Sequence, residues 1–229
     1  MNDTYLEILI ENSAFVAVNK PHGLLMHKSK ISITTKETLL QTLRDQTGRF
    51  LYTIHRLDRK TSGIVLFAYD KDSQRIASKL FQEKKVKKTY HAIVRGYTDD
   101  NGTIDYAIKN DKGKLKDAIT HYKTLDRFEI PMAFGKHNTS RYSLIELKPE
   151  TGRYHQLRMH MAHIFHPIIG DRPHGCNKQN KLFKDTFNCM AMLLHAQELE
   201  LPLESPLQIR ADYHPEFSTI LQMLRESNL

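Results

Sequence analysis

The feature that most constrains the fold is a run of five apolar residues, from Ile64 to Ala68, that directly follows a strongly polar segment. An uninterrupted apolar run of this length, closed on one side by glycine, is typical of a buried strand. The polar segment, residues 55–63, holds one acidic side chain, Asp58. The sequence therefore predicts a charged loop that leads into a buried strand.

A carboxylate at the mouth of such a strand is a candidate for chemistry. Its neighbours favour the ionised form because opposite charges stabilise it, and these neighbours are Arg56, Arg59 and Lys60. An ionised carboxylate can act as a nucleophile or as a base. The alternative is a surface aspartate that balances local charge, since exposed ion pairs are common and contribute little.

The net charge suggests a polyanionic partner. The 229 residues include 34 basic and 26 acidic side chains, which gives a net charge of +8, and 40% hydrophobic residues, enough for the core of one domain. A basic chain of this size favours nucleic acid over other partners. A concentrated group of positive charges precedes Tyr90 and consists of Lys84, Lys85, Lys87 and Lys88. Lysines beside an aromatic ring suit RNA, although such a run is also typical of a solvated face.

The two cysteines, Cys176 and Cys189, do not form a Cys-x-x-Cys pair. We expect free thiols in a reducing cytoplasm. The first residues lack the basic and apolar regions of a signal peptide. Apolar runs also fall well short of the roughly 20 residues that a membrane-spanning helix needs. These features predict a cytoplasmic protein without a membrane partner.

Four histidines raise the question of a metal site: His155, His160, His163 and His166. The second and third are three residues apart and would share one face of a helix. Zinc sites need three or four converging ligands, and no carboxylate or cysteine lies among these histidines. We therefore expect no metal site, and we interpret the histidines as satisfied polar groups or RNA-facing groups.

Several blocks of sequence together resemble the RluA-type pseudouridine synthases. The family signature is His-Arg-Leu-Asp, two variable residues and Thr-Ser-Gly, and residues 55–63 match it. Further blocks follow in the family's order and are found at residues 18–25, 88–96, 151–158 and 166–171. Because these blocks cover most of the chain, the resemblance is much more specific than any one motif.

The resemblance implies a role for each matching residue. Asp58 matches the catalytic aspartate, which either attacks C1′ of the ribose or removes the C2′ proton. Tyr90 matches the tyrosine that stacks on uracil, and Arg158 matches the arginine that pairs with the aspartate. Arg56 corresponds to the residue that fills the space of the flipped base, and Leu157 to an aliphatic contact with the base. The chemistry is an isomerisation, so the resemblance also implies no cofactor.

The alternatives for these residues are non-catalytic roles in packing and surface charge. Arg56 would only contact a phosphate, Arg158 would be a surface cation, and Tyr90 and Leu157 would be core residues. Lys20 lies in the block that resembles the family's loop near the active site, where it could reach a phosphate or simply point into solvent.

The resemblance also implies a fold and a substrate. We expect an α+β catalytic domain over residues 1–229, without an N-terminal S4 domain, in which helices flank a central and largely antiparallel sheet. An active-site cleft across the sheet would bind RNA. Residues 41–48 and the segment from Ile130 to Tyr142 are most similar to the branch that modifies uridine 65 of the tRNA acceptor stem. Ribosomal RNA, another tRNA site, or a non-catalytic RNA-binding role remain alternatives.

Overall fold

The computed structural model describes residues 5–27, 37–110 and 112–229. The described residues form five α-helices: α1 (Leu39–Thr47), α2 (Lys71–Gln82), α3 (Gln156–His163), α4 (Asn177–Phe187) and α5 (Pro215–Glu226). They also form twelve strands: β1 (Glu7–Glu11), β2 (Phe15–Lys20), β3 (Tyr52–Thr53), β4 (Ser62–Ala68), β5 (Lys87–Arg95), β6 (Asn101–Asp105), β7 (Ile108–Lys109), β8 (Leu115–Lys116), β9 (Ile119–Ile130), β10 (Ser140–Pro149), β11 (Leu194–Leu201) and β12 (Leu207–Arg210).

The chain divides into two compact units, and the first contains residues 1–88 and 196–212. Strands β1, β2 and β4 lie in that order and pair antiparallel, and β12 pairs with the end of β11. All seven residues of β4 are buried, as the apolar run predicts. Helix α2 packs Ala77, Leu80 and Phe81 against the core of this unit, and Asp70 caps its first turn by accepting a hydrogen bond from the Ser73 amide at 2.8 Å.

The second unit contains residues 89–195 and 213–229. Its strands lie in the order β5, β10, β9, β6 and pair antiparallel. Alternate residues of β5 point to opposite faces: Ile93 packs in a cluster with α4 and α5, whereas Ala92 and Val94 pack with α3. The expected α+β class with a largely antiparallel arrangement is confirmed, and the expected single catalytic domain stays a prediction.

The structure corrects two element boundaries. The helical spacing of the apolar residues at 154, 157, 161 and 164 predicts a helix over roughly residues 154–165, but α3 is shorter, because His155 (φ 54°) and Phe165 (φ 65°) adopt left-handed conformations that end it on both sides. The sequence also predicts two paired strands, at residues 120–125 and 142–148, with an insert over residues 128–141 between them; both strands are longer than predicted, since β9 continues to Ile130 and β10 begins at Ser140, and the connection shortens to residues 131–139. Within the described ranges, no helix is both long and apolar enough to cross a bilayer.

Candidate active site

The loop that carries Asp58 is tied to the segment that follows β2. The amide of Gly23 donates to the carbonyl of Arg59 at 2.9 Å, and the Arg59 side chain returns a hydrogen bond from Nε to the carbonyl of Gly23, also at 2.9 Å. The amide of Thr61 donates to the carbonyl of Asp58 at 3.1 Å and closes the turn. Asp58 itself is half-buried. Hydrogen bonds to the carbonyls of Asp58 and Arg59 therefore fix the main chain that carries this carboxylate.

Lys20 completes this attachment from inside the fold. Its side chain is fully buried, and Nζ donates to the carbonyls of Pro21 (2.9 Å), Arg59 (3.0 Å) and Thr61 (2.8 Å). Three acceptors use all three N–H groups of an ammonium. The expectation that Lys20 contacts a phosphate or points into solvent does not fit this geometry. The structure instead makes Lys20 a tie between β2 and the loop around Asp58.

Burial also changes the chemistry of this amine. The pKa of Lys20 falls from 10.5 to about 7, mainly because of burial; the negative charge of Asp58 opposes this change, and the positive charge of Arg59 adds to it. The charge of Asp58 thus favours the ammonium form of Lys20. Lys20 is therefore an electrostatic neighbour of the candidate catalytic group as well as an anchor.

The two ends of the signature are fixed by packing. Gly63 has φ +106°, and a Cβ at this position would lie 2.3 Å from the carbonyl oxygen of Ala196 in β11, so only glycine fits. At the other end, His55 Nε2 accepts a hydrogen bond from the Leu66 amide at 3.0 Å and its ring stacks on Phe81. Burial, aided by the charge of Lys88, lowers the pKa of His55 to about 4, which keeps it neutral as this acceptor role requires.

In the second unit, Tyr90 and Leu157 belong to one apolar cluster. Tyr90 is half-buried on β5 opposite Leu147, and it packs against the cluster in which Leu157 is almost completely buried. The structure thus brings a ring and an aliphatic side chain together, as the resemblance implies. The core-packing alternative for Leu157 also describes its environment.

Arg158, one residue along α3, is held by a carboxylate that sequence reasoning did not assign. Its Nε donates to Asp171 Oδ2 and its Nη2 to Asp171 Oδ1, both at 2.8 Å. Only 6% of the Arg158 side chain and 1% of the Asp171 side chain are exposed, which contradicts the surface-charge alternative. One feature of the sequence could have indicated that Asp171 is buried: it follows the apolar pair Ile168 and Ile169 and Gly170, at the end of an apolar segment.

The remaining candidate residues of the first unit lie mostly on its surface. Arg56 is exposed. In the lysine group, Lys84, Lys85 and Lys87 are exposed and Lys88 is half-buried. Two of these lysines have acidic neighbours: Lys85 pairs with Glu83 at 2.8 Å and Lys87 with Glu200 at 3.1 Å. Such exposed pairs are weak, so they leave these charges able to interact with a polyanion.

The four histidines around α3 contact other residues of the protein, and two of them share Tyr106. His155 contacts His174 (Nδ1 to Nε2, 2.9 Å), and His160 Nε2 lies 3.0 Å from the carbonyl of Tyr106. His163 stacks on Tyr106, and His166 Nδ1 lies 2.9 Å from the carbonyl of Arg95. In the part of the chain that the structure describes, no three His, Cys, Asp or Glu side chains are grouped so as to hold a metal ion.

Comparison with known proteins identifies relatives over most of the chain. The sequence pattern of the RNA pseudouridylate synthase family matches residues 14–163. "tRNA pseudouridine synthase C" of Pectobacterium carotovorum subsp. carotovorum is 47% identical over 209 residues, which are 86% of this chain and 56% of the relative. The protein of the same name from Yersinia pestis is 46% identical over 207 residues, 86% of this chain and 80% of the relative. The chain therefore spans little more than half of the first relative and most of the second.

A solved structure shows the same fold. The human RNA pseudouridylate synthase domain-containing protein 4 superposes with a TM-score of 0.75 at 26% identity, covering 96% of this chain and 93% of that one. The human domain-containing protein 1, at 24% identity, also superposes with a TM-score of 0.75. Together with the matched sequence pattern, these similarities agree with the resemblance drawn from the signature around Asp58.

Proposed function

Because the chain belongs to the RNA pseudouridylate synthase family, we propose that it isomerises a uridine of tRNA to pseudouridine. The observation that carries this proposal is the loop of Asp58, where the family signature is present in full and is fixed by Lys20 and Gly23. A reaction that depends on one carboxylate near a ribose needs that carboxylate to be positioned in advance.

The reaction breaks the N1–C1′ bond of uridine and forms a bond between C5 and C1′. The proton that C5 loses must be removed, and N1 gains one, so that the net change is an isomerisation. We assign to Asp58 either attack on C1′ or removal of the C2′ proton. Tyr90 stacks on the uracil and assists proton removal. Arg158 supplies positive charge for a carboxylate, and Leu157 contacts the base.

The target base must leave its helix before any of these groups can reach it. We therefore propose that the uridine is flipped out and that Arg56 fills the space it leaves. The exposed lysines Lys84, Lys85 and Lys87, with Lys88, would hold the phosphate backbone. The proposal assigns no phosphate contact to Lys20.

Uridine 65 of the tRNA acceptor stem is our first choice of target. The relatives named tRNA pseudouridine synthase C support a tRNA substrate, and the branch similarity of residues 41–48 and 130–142 supports the position. A tRNA substrate and the free thiols of Cys176 and Cys189 also support action in the cytoplasm. Another tRNA site and a ribosomal RNA site are the competing targets.

Replacement of Asp58 by asparagine tests the proposal. Asn keeps the shape of the side chain but has neither its charge nor comparable nucleophilicity, so pseudouridine formation should fall by at least about a thousandfold, a loss of roughly 4 kcal/mol in the transition state. RNA affinity should change little, because phosphate contacts supply most of it. The measurement is tritium release from a tRNA transcript that contains uridine at position 65, paired with filter binding.

Two controls make the result specific. Asp72→Asn changes an exposed carboxylate of the same unit, at the start of α2, and should leave turnover as in the wild type. Mass mapping of pseudouridine in tRNA and ribosomal RNA, with and without the protein, identifies the target. Turnover of Asp58→Asn near that of the wild type would rule out the assigned role, and RNA binding without product in the wild type would favour the non-catalytic alternative.

A further inference from the structure

Two large aromatic side chains are exposed at the two ends of α3, and they are held differently. Phe165 follows the helix and is 86% exposed, and within the described part of the chain no aromatic ring stacks on it, in contrast to the rings of His163 and His155. Tyr154 precedes the helix and is 60% exposed, yet its ring stacks on that of His155 with centroids 3.7 Å apart and planes at 21°. An exposed ring that is already oriented loses little freedom when a ligand stacks on it.

His155 is itself fixed in the fold. Its Nδ1 lies 2.9 Å from His174 Nε2, and the two rings meet edge to face. The amide of His174 approaches Asp171 Oδ1 at 3.4 Å, the oxygen that accepts the hydrogen bond from Arg158 Nη2. A continuous series of contacts therefore links the exposed ring of Tyr154 to the buried guanidinium of Arg158.

We propose that Tyr154, supported by His155, is a platform on which a second nucleobase of the RNA substrate stacks. One face of the Tyr154 ring is covered by His155, and its exposure leaves the other face to solvent. Every nucleobase has a π-face that an aromatic ring can accept, and stacking of this kind tolerates different sequences. The base is distinct from the reacting uracil, since Tyr90, the ring assigned to uracil, packs in the cluster of Leu157.

This inference rests on the proposed function in one respect, since it takes the substrate to be RNA. It adds a binding site that the reaction itself does not need, because isomerisation requires groups at the ribose and at the reacting base only. The platform would hold a neighbouring base once the target uridine has left the stack. The contacts of His155, His174 and Asp171 connect this platform to Arg158.

Fluorescence gives a direct test, because the chain contains no tryptophan. Tyr154→Trp preserves a stacking ring and introduces a single reporter at the platform. Addition of a tRNA transcript with uridine at position 65 should quench its emission strongly and shift it, since the base stacks on the indole. Phe165→Trp, at the other end of α3, is the matched control and should change little. Equal responses at both positions, or none at Tyr154→Trp, would overturn the platform.

Affinity measurements separate stacking from contact with phosphate. Tyr154→Ala should weaken binding of the same transcript about tenfold, as expected for one lost stacking contact, and Tyr154→Phe should bind as the wild type does. The slope of log affinity against log salt should be the same in all three proteins, because no phosphate contact is removed. An unchanged affinity in Tyr154→Ala, or an altered slope, would contradict stacking.

Pseudouridine formation by the wild type, measured on the same transcript, distinguishes the two proposals. If the wild type makes product and Tyr154→Ala binds RNA normally, the platform is wrong and the proposed function stands. If the wild type makes none while the quenching and the tenfold loss are observed, the platform stands and the proposed function is wrong.

Discussion

In the first unit, Asp58 lies on a loop that is held in place by main-chain hydrogen bonds and by the buried Lys20. In the second unit, Arg158 forms a buried ion pair with Asp171. Around Asp58, the bonds that Gly23, Arg59 and Lys20 donate all run to main-chain carbonyls. Around Arg158, both 2.8 Å bonds run to the side chain of Asp171. The first arrangement uses several bonds to the main chain, whereas the second includes a buried ion pair between two side chains.

The difference predicts how each region responds to substitution. A main-chain bond survives a change of most side chains, so the loop of Asp58 depends on few residues besides Lys20 and the glycines. A buried ion pair stabilises only while both partners are charged and present, because removal of one leaves the other desolvated. We therefore expect the second unit to be the more sensitive to a single side-chain change.

The largest effect should come from Asp171→Asn. Loss of the buried carboxylate weakens the hold on a buried guanidinium, and we expect the free energy of unfolding to fall by about 3 kcal/mol or more. Chemical denaturation with circular dichroism measures this. Asp185→Asn removes the partner of Lys181 in an exposed pair on α4 and should cost under about 1 kcal/mol. Similar losses in the two variants would remove the contrast between the regions.

Lys20→Met is the corresponding change in the first unit, and its effect should depend on pH. The folded pKa of Lys20, about 7, lies below the unfolded value of 10.5, so between these values the unfolded chain holds a proton that the folded chain lacks. The stability of the wild type relative to the variant should therefore rise with pH across this window, by at most about 1.4 kcal/mol per pH unit.

Stability curves for the two proteins from about pH 7 to about pH 9, within the window between the folded pKa of Lys20 and its unfolded value of 10.5, give that difference directly. Lys79→Met, which alters an exposed lysine of α2, should show no such trend. Turnover of Lys20→Met should fall while RNA affinity is kept, because the loop of Asp58 loses its anchor. If the difference in unfolding free energy between the two proteins does not change with pH, the pKa of Lys20 is not lowered in the folded state.

Tyr90→Phe tests whether the hydroxyl of Tyr90 in the second unit takes part in the reaction. The variant keeps the ring packed against the cluster of Leu157 and removes only the hydroxyl. If that hydroxyl helps to move a proton, kcat should fall about tenfold, the equivalent of one lost hydrogen bond in the transition state, while RNA affinity stays the same. Single-turnover kinetics with filter binding measure both quantities, and wild-type turnover would reduce Tyr90 to a stacking surface.

The smallest effect concerns the exposed lysines of the first unit. Replacement of Lys84, Lys85 and Lys87 by Gln should lower the slope of log affinity against log salt by about 0.9 for each lysine that contacts a phosphate. A matched variant makes the same change of charge on α4, at Lys178, Lys181 and Lys184, and should leave the slope closer to that of the wild type. If both sets change the slope equally, the effect is one of net charge only.

The sequence predicted most elements correctly where the pattern is local. The apolar run at residues 64–68 predicts β4, the alternation of polar and apolar residues at 88–95 predicts β5, and both strands are found. The resemblance to RluA-type synthases is confirmed. The ends of α3 were wrong because apolar periodicity does not reveal the left-handed conformation of His155.

The environment of the site residues was less predictable. Lys20 was expected to meet solvent or phosphate, since lysine is rarely buried without partners, and nothing local shows that three carbonyls surround it. The pairing of Arg158 with Asp171 joins residues 13 positions apart across a turn, so it depends on tertiary packing. The roles assigned to Asp58, Tyr90, Arg158, Arg56 and Leu157 stay predictions.

The close approach at Gly63 shows that one residue of the signature is required for packing, whereas Asp58 is assigned to the reaction. The glycine is required because the carbonyl of Ala196 lies where a Cβ would be, which is a demand of the neighbouring strand and has no part in the reaction. Asp58, five residues earlier, is not needed for that packing. A homologous chain that retains the glycine but has lost the aspartate should therefore fold normally and have no activity. A genome search for active enzymes should require the aspartate, and a search for proteins of this fold should require the glycine.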